Sequence, residues 1–231
     1  GTTQTYTHLV IATGSRVRPL PVPGADLDGV RYLRTIADID VLKADFQPGK
    51  RIAIVGGGYI GLEAASVAKK LGAQPVVIEA MDRLLARVAV PELSAFYLDA
   101  HRTRGVTVEL SAQVEAIEGS QGRAGAVLLA DGREIVCDSV LVGIGVLPNQ
   151  ELASAAGLTT GNGISVDSEC RTSDPAIFAI GDCAEQENWL TGTRIRLESV
   201  PNALDQAKHA AAAVCGTPAP KPEVPWFWSD Q

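Results

Sequence analysis

Six consecutive residues, Gly56-Gly57-Gly58-Tyr59-Ile60-Gly61, place glycine at the first, third and sixth positions of a G-x-G-x-x-G pattern. That spacing is suited to holding a dinucleotide. Gly56 permits a tight turn, Gly58 lets backbone approach a pyrophosphate, and Gly61 lets a helix pack closely on the preceding strand. The helix opened by the turn offers unpaired N–H groups and its dipole to phosphate. Eighteen positions after Gly61 stands Glu79. An acid there, at the end of a second strand, hydrogen-bonds the adenosine ribose hydroxyls and repels a 2′-phosphate, which favours NADH over NADPH. The plainer alternative for Glu79 is a solvated strand-end acid. Arg83 and Arg87 lie just beyond. They are suited either to neutralising phosphate or to forming a solvated helix face.

The glycine pattern alone is weak, and its context decides its worth. Residues 51–55 read as a buried parallel strand and the turn follows directly. A helix then runs to Leu71 with Leu62, Ala65, Ala68 and Leu71 on its apolar face, stopped by Gly72. Residues 75–79 form the second strand, 91–104 a second helix and 106–110 a third strand. Shorter strands at 113–118, 125–129 and 134–137 surround an Asp131-Gly132 turn, and 138–144 is a last buried strand. Before this block come a strand at 5–12, a Pro/Gly-rich connector at 16–29 and a short helix at 35–44. After it come a helix at 151–156, strands at 164–166 and 177–180, a hairpin arm over 194–200 and a helix at 201–215. Four prolines between 218 and 225 make a stiff linker. The expected class is α/β: a Rossmann-like NAD-binding domain with a βαβ unit and an antiparallel hairpin insert.

Bulk properties exclude several other classes. The 231 residues include 20 Lys+Arg and 27 Asp+Glu, a net charge of −7, with no basic cluster to attract a nucleic acid. No apolar run approaches the roughly 18 residues a membrane helix needs, and no signal-peptide pattern opens the chain. The cysteines Cys137, Cys170, Cys183 and Cys215 never form CxxC, so each is expected to be a buried small apolar residue in a reducing compartment. The expected location is cytoplasmic. No metal-ligand set or Ser/His/Asp arrangement stands out, and His8, His101 and His209 show no partner pattern. The opening without Met and the ending on Trp226-Phe227-Trp228-Ser229-Asp230-Gln231 suggest a fragment.

Five further segments resemble one known family. Leu9-Val10-Ile11-Ala12-Thr13-Gly14 looks like the Ala-Thr-Gly segment of two-dinucleotide flavoproteins. Gly143-Ile144-Gly145-Val146-Leu147-Pro148-Asn149 is similar to the end of their NAD domain, and Ala179-Ile180-Gly181-Asp182 to their second FAD motif. Glu198-Ser199-Val200-Pro201-Asn202-Ala203 and the Pro225 to Gln231 ending resemble one branch, the oxygenase-coupled NADH–ferredoxin reductases of putidaredoxin or rubredoxin reductase type.

That resemblance implies a second Rossmann-like part, an FAD-binding domain split around the NAD-binding one. The implied boundaries are 1–47 and 147–220 for the FAD part, 48–146 for the NAD domain and 221–231 for the start of a C-terminal domain. The first FAD glycine motif and most of that last domain are missing from this chain. Ala12 and Thr13 would bring backbone near the FAD phosphate and ribose, Arg34 would contact FAD, and Asp182 would accept from a ribityl hydroxyl. Val200 would present N–H and helix dipole to the flavin edge, and Ile60 would pack on the flavin. Glu63 would hold the nicotinamide carboxamide, and Gly145 would let backbone approach that half of the dinucleotide. Each has a plainer alternative: turn capping for Asp182, a surface role for Arg34, and a dipole-satisfying acid for Glu63. Trp226 and Trp228 would flank the flavin or a docking surface, unless they pack in the core.

The implied reaction is hydride transfer from NADH to FAD, then single-electron transfer to a [2Fe–2S] ferredoxin or rubredoxin serving a P450 or ring-hydroxylating oxygenase. No side-chain acid or base is required. NADH oxidase, coenzyme-A disulfide reductase and the flavoprotein part of nitrite reductase share the NAD motif. The disulfide reductase needs an N-terminal active cysteine that this chain lacks, and the Pro225 to Gln231 ending speaks against all three. An NAD-binding sensor without catalysis is the rival of another class, and it gives Asp182, Val200 and Thr13-Gly14 no reason to occur together. As a fragment, the chain alone is expected to bind NADH weakly, to hold FAD poorly and to be inactive.

Overall fold

The computed structural model describes residues 2–231. The first elements are β1 (Leu9–Ile11), β2 (Ser15–Val17), β3 (Val30–Tyr32) and α1 (Ile36–Asp45). Next come β4 (Arg51–Val55), α2 (Tyr59–Lys70), β5 (Gln74–Ile78), α3 (Pro91–Thr103) and β6 (Thr107–Glu109). The strands β7 (Val114–Ser120), β8 (Arg123–Leu129), β9 (Glu134–Val136) and β10 (Ser139–Val142) follow. Then run β11 (Val146–Pro148), α4 (Glu151–Ala155), β12 (Ile164–Val166) and β13 (Ile177–Ala179). The last are β14 (Ala184–Glu187), β15 (Arg194–Ile195) and α5 (Val200–Cys215), with a single 3-10 turn at Gly181–Cys183.

The chain forms two compact units, Val17–Gly145 with Ser229–Gln231, and residues up to Arg16 with Val146–Trp228. In the first, a parallel sheet runs β3-β10-β4-β5-β6. Past their first residues its central strands are apolar, because both faces are covered. Along β4, Ile52 and Ile54 pack with Leu62, Ala65 and Ala68 of α2, while Ala53 and Val55 point to the other face. There they meet Ile117, Val127 and Leu129 of the antiparallel sheet β7-β8-β9. This is the expected βαβ architecture with its hairpin insert. Residues 17–47, grouped with the flavin part by resemblance, contribute β3 and α1 to this unit, because Val30–Tyr32 hydrogen-bonds along β10.

In the second unit β1 pairs in parallel with β13, and β12-β14-β15 form a separate sheet. Ile11, Ile164, Val166, Ile177 and Ala179 make its core, and Phe178 packs with Cys170 and with Ala210 of α5.

Several elements differ from the sequence expectation. The first strand begins at Leu9, and residues 5–8 are exposed outside it. The hairpin arm expected over 194–200 is two residues long, because Ser199 caps α5 by accepting the Asn202 N–H at 3.3 Å. β7 and β8 are longer than expected and close through Gln121 and Gly122, both at positive φ, as a type I′ turn requires. Leu71, expected on the apolar face of α2, is exposed at the helix end. Cys137, Cys170 and Cys183 are buried, but Cys215 is exposed at the last residue of α5. Burial pushes the Cys137 thiol up to about 11 and Cys170 up to about 12, so both stay protonated. No helix among the described residues is long and apolar enough to cross a membrane.

Asp138 ties the start of β10 to β4. Its carboxylate accepts the Arg51 N–H at 2.8 Å and the Lys50 ammonium at 3.1 Å. Led by the Arg51 N–H, these contacts hold its pKa below the ordinary 3.8 despite partial burial. A depressed folded-state pKa stabilises fully above 3.8, and that contribution is lost as pH falls through the folded value. Asp138→Asn is expected to lower stability at pH 7 by about 1 kcal/mol, since the site is partly exposed. Urea unfolding at pH 7 and at progressively lower pH below 3.8 checks this, with the gap between variant and parent narrowing. An unchanged gap would contradict it.

Candidate functional site

In the Val17–Gly145 unit, β4 ends where the glycine turn begins, and Gly56 and Gly61 are each required for a separate reason. Gly56 sits at φ +112, and a Cβ there would lie 2.4 Å from the Gly143 carbonyl oxygen. A Cβ on Gly61 would lie 2.0 Å from the Gly56 carbonyl oxygen and 3.4 Å from Ile54, so only glycine lets α2 approach its strand. Gly58 is the opposite case. It caps α2 with ordinary φ −84, and a Cβ there meets no protein atom within 4 Å. The protein itself makes no demand for glycine at Gly58, and the space beside it is open. Gly58 has no side chain with which to cap the start of α2.

Glu79 lies one residue beyond β5, beside this turn. Its Oε2 accepts the Gly57 N–H at 2.6 Å and its Oε1 accepts the Met81 N–H at 2.8 Å. The acid therefore anchors the turn, a role the spacing did not suggest. A carboxylate has about four acceptor positions, so two such bonds leave room for hydroxyl donors.

The two arginines separate. The Arg83 guanidinium is committed to the Ala86 and Ala89 carbonyls and the Ser94 hydroxyl, at 2.8, 2.7 and 2.9 Å, and so shapes the loop before α3. Arg87 is exposed, with its Nη2 about 3.5 Å from where a Gly145 Cβ would stand. Gly145 is at φ +100. Ile60, in the first turn of α2, keeps 41% of its surface exposed although it is apolar. Glu63 is the fifth residue of α2, past the turn where the helix dipole is felt, which weakens the dipole explanation. It accepts the Ser229 hydroxyl at 2.6 Å. Arg34 also belongs to this unit, on the loop before α1, and its backbone N–H donates to Asp38 at 2.9 Å.

In the second unit, parallel pairing of Ile11 with Ala179 brings Ala12-Thr13 and Gly181-Asp182 together at the carboxyl ends of β1 and β13. That edge is where open α/β sheets hold ligands. The Ser15 hydroxyl donates to the Asp182 carboxylate at 2.7 Å, and the Gln206 carboxamide oxygen accepts the Gly181 N–H at 2.7 Å. Asn149 locks Thr13 from both sides: its carbonyl accepts the Thr13 hydroxyl at 2.5 Å, and its amide donates to the Thr13 carbonyl at 2.9 Å. Gln206 lies on α5, whose N-terminal residue Val200 is exposed. Ala12, Thr13, Asp182 and the helix that starts at Val200 are thus assembled in one unit. Ser15 and Gln206, which help hold them, carried no signal in the sequence, and Asn149 entered only as the last residue of a family-like segment. Trp226 and Trp228 are both exposed, with ring centroids 5.8 Å apart, and neither is a core residue.

One unit carries a strand, glycine turn, helix and strand-end acid, and the other carries a strand-end site of its own, the elements of a two-dinucleotide Rossmann-like fold. The chain belongs to the pyridine nucleotide-disulphide oxidoreductase family, whose profile matches residues 1–207. It is 56% identical over 227 residues to a probable ferredoxin reductase of Castellaniella defragrans, covering 98% of this chain and 56% of that protein. It is 41% identical over 225 residues to a rubredoxin–NAD(+) reductase of Pseudomonas putida, covering 97% and 58%. The reductase in a covalent putidaredoxin reductase–putidaredoxin complex superposes with a TM-score of 0.94 at 44% identity, covering 98% of this chain and 55% of that one. The chain therefore spans a little over half the length of the relatives it matches.

The glycine geometry makes opposite demands at two positions. Gly58→Ala is expected to leave the thermal unfolding midpoint unchanged, whereas Gly61→Ala is expected to lose about 1–3 kcal/mol through overpacking. Equal midpoints for the two variants would contradict this reading of the turn.

Proposed function

We propose that this chain carries the nucleotide sites of an NADH-dependent FAD flavoprotein that reduces an iron–sulfur protein. The observation that carries the NADH part is the open face at Gly58, next to the N–H groups of α2 and the carboxylate of Glu79. Backbone N–H groups of the turn bind the pyrophosphate, Gly145 gives room at the nicotinamide half, and Glu63 accepts from its carboxamide. Glu79 takes the ribose hydroxyls on its remaining lone pairs while still holding Gly57. Its negative charge disfavours a 2′-phosphate, so NADH is the donor rather than NADPH.

Part of the FAD site lies at the carboxyl ends of β1 and β13. There Ala12 and Thr13 present backbone to the phosphate–ribose region, and Asp182, oriented by Ser15, accepts from the ribityl chain. Val200 offers the N-terminal dipole of α5 to the ring edge, where it favours negative charge. FAD, when bound there, would supply the chemistry these side chains cannot, hydride acceptance and single-electron release. The residues bind and orient, and none needs to move a proton.

The acceptor in this reading is a [2Fe–2S] ferredoxin, with rubredoxin as the alternative, passing electrons to a P450 or ring-hydroxylating oxygenase. Similarity along nearly the whole chain to reductases named for ferredoxin and rubredoxin supports it. The four free cysteines support a reducing compartment, and we assign the protein to the cytoplasm.

Glu79→Ala tests the nucleotide assignment by calorimetric titration. Loss of charge-assisted bonds to ribose is expected to weaken NADH about tenfold and NADPH much less, so that the preference narrows. Equal weakening of both nucleotides would remove Glu79 from the ribose and leave it only its role in the turn.

A further inference from the structure

Glu63 does not stand alone on α2. The Ser229 hydroxyl donates to its Oε1 at 2.6 Å, and Ser229 in turn accepts the Gln231 amide at 2.9 Å. The other end of that amide, Gln231 Oε1, lies 3.0 Å from Nε2 of His101, a buried residue of α3. All four residues belong to the same compact unit.

The donor directions agree along the whole chain. Gln231 donates through its nitrogen, so its oxygen must accept, which puts the proton on His101 Nε2. Every link then points one way: His101 to Gln231, Gln231 to Ser229, and Ser229 to the carboxylate of Glu63. The far end is set in the packed side of α3, where a buried imidazole needs a partner. The near end is a carboxylate past the first turn of α2, beyond useful reach of the helix dipole.

We propose that Ser229, held by Gln231 and His101, is a positioning residue that presets the Glu63 carboxylate as the acceptor for a carboxamide. This rests on the reading of the Val17–Gly145 unit as the NADH site. A free Glu side chain loses rotamer entropy when it is fixed. A side chain already fixed by Ser229 does not incur that loss again on binding. The Ser229 hydroxyl engages one carboxylate oxygen, Oε1, and Oε2 remains to accept the carboxamide N–H. Recognition would then be of the nicotinamide half alone, with the pyrophosphate and adenosine held elsewhere.

ADP-ribose, which shares everything but nicotinamide with NADH, separates the contributions. In calorimetric titrations of the chain, Ser229→Ala is expected to weaken NADH about fivefold and leave ADP-ribose unchanged, with Ser229→Thr restoring NADH affinity. Gln231→Ala, one link further out, is expected to give a smaller loss with the same selectivity. A Ser229→Ala protein that loses affinity equally for both ligands, or for neither, would overturn the positioning role. A parent chain that binds ADP-ribose but gains nothing from nicotinamide would overturn it too. A parent chain that binds neither ligand would instead bring down the NADH reading on which it rests.

Discussion

The close approach of Gly61 to the carbonyl of Gly56 sets the position of the helix and turn around it. With no Cβ between them, α2 lies directly against the end of β4, and the N-terminus of the helix is fixed beside the turn. That contact lets Leu62, Ala65 and Ala68 reach Ile52 and Ile54, so the local turn and the sheet core are one packing solution. Gly56 at positive φ then folds the backbone against Gly143, bringing the loop after β10 to the same edge. Helix start, turn and loop are therefore placed by backbone sterics before any side chain is considered.

Glu79 adds electrostatics to that frame. Its bonds to the Gly57 and Met81 N–H groups join the end of β5 to the turn, so one carboxylate serves both the fold and the ligand edge. The second unit solves a similar problem with neutral groups: Gln206 holds Gly181, Ser15 orients Asp182 and Asn149 clamps Thr13. In the second unit Thr13, Gly181 and Asp182 thus owe their positions to hydrogen bonds from outside the motif. Rigid placement of this kind suits chemistry in which a cofactor reacts and the protein orients.

The parts of this arrangement that were legible in the sequence depend on local geometry. The three glycines, the βαβ order and Glu79 were readable because turn shape, helix period and strand length are set by neighbouring residues. The partners of the site residues were not. Ser15 and Asp182 lie 167 positions apart, Thr13 and Asn149 lie 136 apart, and Glu63 and Ser229 lie 166 apart. Nothing short of the folded chain brings them together. His101 looked free of any pattern for the same reason. Gln121 was missed as a turn residue because a left-handed glutamine is uncommon, and its pairing with Gly122 is what lengthens β7 and β8. Arg83 and Arg87 look alike in sequence, and only the loop carbonyls around Arg83 tell them apart.

The central claim is that the glycine turn of the Val17–Gly145 unit is the NADH site. Titration of the isotopically labelled protein with NADH, followed through its backbone amide resonances, tests it most directly. The account predicts the largest shifts at residues 57–62 and 143–145, saturating together with a single affinity. Shifts that leave those amides unmoved while others saturate would contradict it.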